Sequence, residues 1–201
     1  MKRTQAFTLV EILAVLAIIA VLAALLFPVA AQAKSSSKVT VCASNLQQIG
    51  AALALYASDH DDLLPSSVGG ITRAYCQRMP KSSDCEGFEN LPAVNVLLQP
   101  YMHSDAIFEC PAHVEDGPTI YSPLSIFQAA GTTYEFLDEL LAKGTPLTFA
   151  TQSNRPLAWD HGFNHGGQDA TAARVNSLYG DNHIEFQTWQ QTVGKIEGNG
   201  R

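Results

Sequence analysis

The sequence predicts an α+β fold: one long N-terminal helix, membrane-spanning in its first half and amphipathic in its second, packed on a small antiparallel sheet. Three observations predict it. Phe7 to Ala33 is an apolar run with a single charged residue, Glu11. Val39, Cys42, Leu46, Ile49, Leu53 and Tyr56 then recur at alternating three- and four-residue steps, one apolar stripe on a helix. Near the C-terminus, strand-like segments flank Gly180-Asp181-Asn182, a run with turn chemistry.

The chain opens with a short basic leader, residues 1–6, carrying Lys2 and Arg3. At ~1.5 Å per residue the apolar run would be about 40 Å long, more than the ~30 Å hydrocarbon core of a bilayer requires. Positive charge before the run places the N-terminus in the cytoplasm and sends everything after Ala33 outward. The same features admit an ordinary secretory signal, with Pro28 as helix breaker and cleavage after Ala31-Gln32-Ala33, which would release a soluble binding protein beginning at Lys34. Two features oppose that alternative. The apolar stretch exceeds the usual ~7–15 residue signal core, and Glu11 sits inside it, where a carboxylate is costly and marks a partner or a function.

Residues 34–201 read as one exported domain that includes the amphipathic half of the long helix, from about Phe7 to about Ser58 overall. Ser44, Asn45, Gln47 and Gln48 fall on its other faces, and Asp59, Asp61 and Asp62 read as an acidic helix exit. Residues 93–102 ("AVNVLLQPYM") predict a short helix and residues 106–110 ("AIFEC") a short strand. Residues 134–144 ("YEFLDELLAKG") predict a surface helix ended by Gly144, a favoured residue just past a helix. "RPLAWD", "VNSLY" and "HIEF" predict strands, the last two forming a hairpin at the sheet edge.

The chain has 201 residues, 46% hydrophobic and 15% charged, with a formal net charge of −7. An acidic chain without a basic cluster is a poor nucleic-acid binder, since phosphate contacts need clustered Lys and Arg. Cys42, Cys76, Cys85 and Cys110 fit an oxidising compartment and two disulfides, of which three pairings exist. Cys76 and Cys85 are close enough to close a small loop, which leaves Cys42 for Cys110. No pair has the two-to-four residue spacing that zinc thiolate sites favour.

"AFTLVEILAVLAIIAVLAALLFP" resembles the N-terminus of type IV pilins and type II secretion pseudopilins. The resemblance implies a pilin-like fold and a filament subunit rather than an enzyme. It implies cleavage by a prepilin peptidase between Ala6 and Phe7, N-methylation of Phe7, Glu11 as the assembly carboxylate and Pro28 as the helix proline. It also implies an inner-membrane, single-pass precursor that passes through an assembly platform into a periplasmic or cell-surface filament, its partners being copies of itself and related pilins. The residue before the cut is usually Gly in that family and is Ala6 here. "NLQQIGAALALYASDHDDLLP", "IFECP" and the set His165, Gly166, Gly167, Gly180, Asp181, His183 resemble one group of prepilin-like proteins. The departures are an inserted "QDATAAR" and Asn182 in place of Gly, a mild change because Asn tolerates a left-handed turn.

Asp160, His161, His165, Asp181 and His183 are candidate metal ligands: carboxylates and turn carbonyls suit Ca²⁺, and a His pair with Asp suits a transition metal. Some pseudopilins carry structural calcium in C-terminal loops. The competing reading makes these residues polar turn residues, with Asp181 bonding its own turn backbone. No Ser or Cys stands in a nucleophile motif and no Gly-rich phosphate loop follows a strand, so no enzyme and no other cofactor are expected.

Overall fold

A computed structural model describes residues 8–88, 90–113, 124–152, 154–160 and 173–198. The chain divides into two compact units, residues 1–37 and 38–201. Helix α1, Leu9–Asp59, runs through both and contains Pro28. In the first unit its described residues are solvent-facing on every side, with Leu9 78% and Phe27 79% exposed, and apolar residues run all round the helix.

In the second unit α1 becomes one-sided. Cys42, Leu46, Ile49 and Leu53 are buried, Val39 and Tyr56 half-buried, and Ser44, Gln47 and Gln48 lie outside that buried stripe, as its period predicts. Asn45 departs from it: it is buried beside Leu46, and its Nδ2 donates to the Glu109 carbonyl at 3.0 Å. That hydrogen bond replaces the water a buried amide loses.

The sheet is four-stranded and antiparallel throughout, in the order β1 (Tyr134–Phe136), β2 (Ala158–Asp160), β3 (Arg174–Leu178) and β4 (Ile184–Thr188). Its helix-facing residues and those of α1 share one core with Leu98, Phe108, Tyr134, Leu141 and Leu178. The C-terminal hairpin forms as predicted, with Leu178 opposite Ile184 and Asn176 opposite Phe186. Short helices cover the rest: α2 (Gly70–Arg78), α3 (Val94–Leu97), α4 (Ile126–Ala130), α5 (Asp138–Ala142), α6 (Leu147–Gln152) and α7 (Trp189–Ile196). A 3₁₀ turn at Gln99–Tyr101 extends α3, so the predicted helix over 93–102 is present in two pieces.

Two expectations need correction. Residues 106–110 are not a strand: Asp105–Phe108 is a 3₁₀ turn, because the Ser104 hydroxyl accepts from the Ala106 N–H and caps it. The chain then extends, and the Cys110 N–H donates to Thr133 Oγ1 at 2.7 Å. Residues 134–144 are not one helix. Tyr134–Phe136 pairs with β2, burying Tyr134 and Phe136 alternately, and only the remainder is helical, ending before Gly144 at φ +57°. Helices α2, α4, α6 and α7 have no counterpart in the sequence reading. Two of them start on capping boxes, Ser125 with Gln128 and Thr188 with Gln191.

Both disulfides are formed, Cys42–Cys110 and Cys76–Cys85, at sequence separations of 68 and 9. Chain entropy scales with loop length, so opening the larger loop should cost about 4 kcal/mol and the smaller about 2.5 kcal/mol. Urea melts of Cys42→Ala/Cys110→Ala and Cys76→Ala/Cys85→Ala in detergent check the order. Gly50 of α1 also carries a definite constraint: a Cβ there would run into Asn182 Oδ1 and stand 2.8 Å from Leu178 Cδ1. Gly50→Ala should destabilise the domain by about 1–3 kcal/mol through overpacking, although alanine is the better helix former by about 1 kcal/mol. Asn182→Gly, which removes the main obstruction, should recover part of that loss in the same melts.

Candidate functional site

Among the described residues two places carry chemistry, one in each unit. In the first, the start of α1 is built by "TLVE". Thr8 Oγ1 accepts from the Glu11 N–H at 3.3 Å, while Glu11 Oε2 accepts from the Thr8 N–H and hydroxyl, both at 2.8 Å. This is a reciprocal capping box: the residue before the helix and the third residue inside it satisfy each other's orphan donors. The single carboxylate of the apolar run is therefore positioned by its own helix start, where a negative charge also meets the positive end of the helix dipole. Pro28 lies in the same helix, where it has no N–H to offer the carbonyl of Ala24. Ala6 and Phe7 lie outside the described residues. By length and composition α1 qualifies to cross a membrane near the N-terminus.

The second place is the β3–β4 turn. The Tyr179 N–H donates to the His183 carbonyl at 3.1 Å and the Asn182 N–H to the Tyr179 carbonyl at 2.9 Å, closing a three-residue loop with Asn182 at φ +67°. Asn182 thus takes the left-handed position where Gly is usual, and its side chain lies against Gly50. Gly180 faces the Ala150 backbone of α6, where a Cβ would meet carbonyl atoms at 2.5 Å. Asp181 Oδ1 accepts from the His183 N–H at 3.2 Å, so the predicted bond to its own turn is present.

Around this turn a polar group assembles. The His183 ring stacks on Tyr179 at 4.4 Å with its Nδ1 hydrogen-bonded to Asp181 Oδ1. The Tyr179 hydroxyl donates to Glu185 Oε2 at 2.9 Å and accepts from Lys195 Nζ at 2.9 Å and Gln187 Nε2 at 3.0 Å. Lys195 bridges to the same Glu185 oxygen. The Lys195 hydrogen bond holds the Glu185 carboxyl below its usual range, and the His183 hydrogen bond does the same for Asp181. Burial raises the Tyr179 hydroxyl. For Lys195, burial acts downward, but its bonds to Glu185 and Tyr179 outweigh it and the ammonium is stabilised.

The described metal candidates, Asp160, Asp181 and His183, do not come together as one site. Asp160, fully buried, accepts from the Asn176 N–H at 2.8 Å and its Nδ2 at 2.9 Å, opposite the middle of β3. Asp181 and His183 are in the turn beyond the far end of that strand, and His161 and His165 lie outside the described residues. Among the described residues, Cys42, Cys110 and Asp160 do converge within 4.8 Å. Both sulfurs are committed to the disulfide, so neither is a thiolate ligand. Asp160 works structurally instead: Asn176, held by it, also donates to the Val39 carbonyl at 3.3 Å, joining β2, β3 and α1. Sequence reasoning missed Thr8, Glu185 and Lys195. Thr8 was findable as the first residue of a Thr-x-x-Glu box.

The Glu185–Lys195 bridge has a pH signature. A depressed carboxyl contributes stability above its ordinary value, 4.5, and loses it as pH falls through the folded value. Lys195→Met should therefore flatten the decline in melting temperature between about pH 6 and pH 3 relative to wild type, read by thermal melts across that range.

No curated protein and no solved structure matches the chain. Residues 1–27 match the family described as the prokaryotic N-terminal methylation motif. The chain thus carries, around Glu11 and its capping Thr8, the segment that marks type IV pilin-like and pseudopilin proteins.

Proposed function

We propose that the protein is a structural subunit of a type IV pilus-like or type II secretion pseudopilus filament. The observation that carries this reading is the conjunction, in one segment, of the methylation motif with a fully exposed apolar helix holding one positioned carboxylate. Cleavage between Ala6 and Phe7 by a prepilin peptidase removes Lys2 and Arg3 and leaves a methylated amine on Phe7. The 7–33 segment stores the subunit in the inner membrane, N-terminus cytoplasmic, with residues 34–201 exported. An assembly platform then moves it into a filament of like subunits in the periplasm or at the cell surface. No reaction is catalysed.

The physics of the joint derives from residue spacing. Glu11 and Phe7 are four residues apart, so a neighbour displaced along the axis by about 6 Å brings its amine level with the Glu11 carboxylate. Both Thr8 hydrogen bonds fall on Oε2, and Oε1 is the atom assigned to the neighbour's amine. Inside a bundle of apolar helices a mispaired carboxylate would be a buried lone charge, so the pair selects the axial register as much as it stabilises the contact.

N-terminal sequencing with mass spectrometry on membrane-derived protein tests the reading. A methylated Phe7 start is expected; a start at Lys34 would make the opening segment an export signal and the protein a secreted one. Glu11→Ala should leave membrane insertion and the melting temperature of the exported domain unchanged while abolishing filaments. Normal filament yield from that variant would sink the assembly role.

A further inference from the structure

We propose that the Cys76–Cys85 bond is a site of thiol–disulfide exchange, opened by a dithiol, and that its opening loosens the segment between α2 and α3 while the rest of the domain stays folded. This site stands independently of the filament reading.

The two disulfides differ in their surroundings. Cys42 and Cys110 are 0% and 1% exposed, and both belong to the main core. Cys85 is as deeply buried, but its partner Cys76 is only half-buried. Cys76 and Cys85 line a cavity of about 230 Å³ together with Arg73, Gln77, Pro80 and Phe88. Gln77 and Pro80 are exposed, so a thiol can approach the bond from solvent on the Cys76 side. Arg73 brings a guanidinium to the cavity, its Nη1 donating to the Leu91 carbonyl. A cation near a sulfur stabilises the thiolate that leaves, and a leaving thiol of lower pKa departs faster.

The exchange balances with a dithiol as the reductant. One thiolate of the dithiol attacks Cys76 Sγ and forms a mixed disulfide. The Cys76–Cys85 bond breaks, its electron pair goes to Cys85 Sγ, and that sulfur takes up a proton. The Met79 carbonyl, 3.8 Å from Cys85 Sγ, is an acceptor at hand for the new thiol. The second thiol of the reductant, as thiolate, then attacks its own partner sulfur and releases Cys76 as a thiolate, which is protonated. Two electrons pass from the dithiol, which leaves as a disulfide.

The consequence follows from how little else holds this segment. Among the described residues from Tyr75 to Pro92, Cys85 has the one buried side chain, and it belongs to neither apolar cluster. The segment's own turns are short-range, with the Ser82 N–H on the Met79 carbonyl and the Phe88 N–H on the Cys85 carbonyl, both at 3.0 Å. Segments with few buried apolar contacts open most readily, and cutting the cross-link returns chain entropy to the loop that it closed. The start of α2 is anchored separately: the Gly69 N–H and the Thr72 hydroxyl both donate to Asp138 at 2.5 Å.

The test titrates dithiothreitol into the full chain in detergent under native conditions, traps thiols with N-ethylmaleimide and locates them by peptide mass spectrometry. Cys76 and Cys85 should be alkylated at dithiothreitol concentrations at least tenfold below those that expose Cys42 and Cys110. Trypsin then reads the segment, which contains Arg78 and Lys81. Cleavage after these two residues should rise at least tenfold on selective reduction, while cleavage after Lys143 and Arg155 stays unchanged. Cys76→Ala/Cys85→Ala should show the fast cleavage without reductant. Joint reduction of the two bonds, or earlier reduction of Cys42–Cys110, would overturn the exchange site. Unchanged cleavage after Arg78 and Lys81 would overturn the coupling, as would equal acceleration after Lys143 and Arg155, which would mean global unfolding.

Discussion

One helix has to satisfy two solvents. Over its first part α1 carries apolar side chains on every face, which only a lipid interior or a bundle of similar helices can cover. Over its second part it must be polar on one side and apolar on the other, because a sheet lies against it and water beyond. The domain is arranged around that second requirement. The covered stripe from Cys42 to Leu53 sets which residues of β1–β3 face inward, and the Asp160–Asn176–Val39 hydrogen bonds hold the strands to the helix backbone.

Much of this was legible because its causes are local. An apolar run announces itself by composition, an amphipathic stripe by its period, and a three-residue hairpin loop by Gly-Asp-Asn. The illegible parts depend on partners far along the chain. Tyr134–Phe136 has helical company in sequence and becomes a strand because β2 is there to pair with it. Asn45 looks like a surface amide and is buried because the Glu109 carbonyl reaches it. Phe108 and Cys110 look strand-like, but Ser104 caps a tight turn before them and the disulfide ties Cys110 to α1.

The functional residues divide in the same way. Glu11 stands out from sequence because a charge in an apolar run needs a reason. The C-terminal polar residues attract notice as a set, yet the fold distributes them: Asp160 goes to the interior and Asp181 with His183 to an exposed turn. Glu185 and Lys195 are ordinary surface residues in the sequence and gain a role only when the hairpin and α7 place them beside Tyr179. Patterns of residue type reveal which side chains are unusual, whereas grouping them requires the register of the strands.

The position of the Cys42–Cys110 bond bears on mechanical load. If the chain were held by the start of α1 and pulled from its far end, tension would enter the second unit just before Cys42. There the covalent path passes directly to Cys110, so the span between them, a sequence separation of 68, is shielded from the stretching force. It includes the rest of α1, all of α2 and α3 and the smaller disulfide loop. Extension under tension would have to come from the segment after Cys110, whose strands are peeled or sheared instead. The bond thus sets an upper limit on how far the domain can lengthen before covalent chemistry fails.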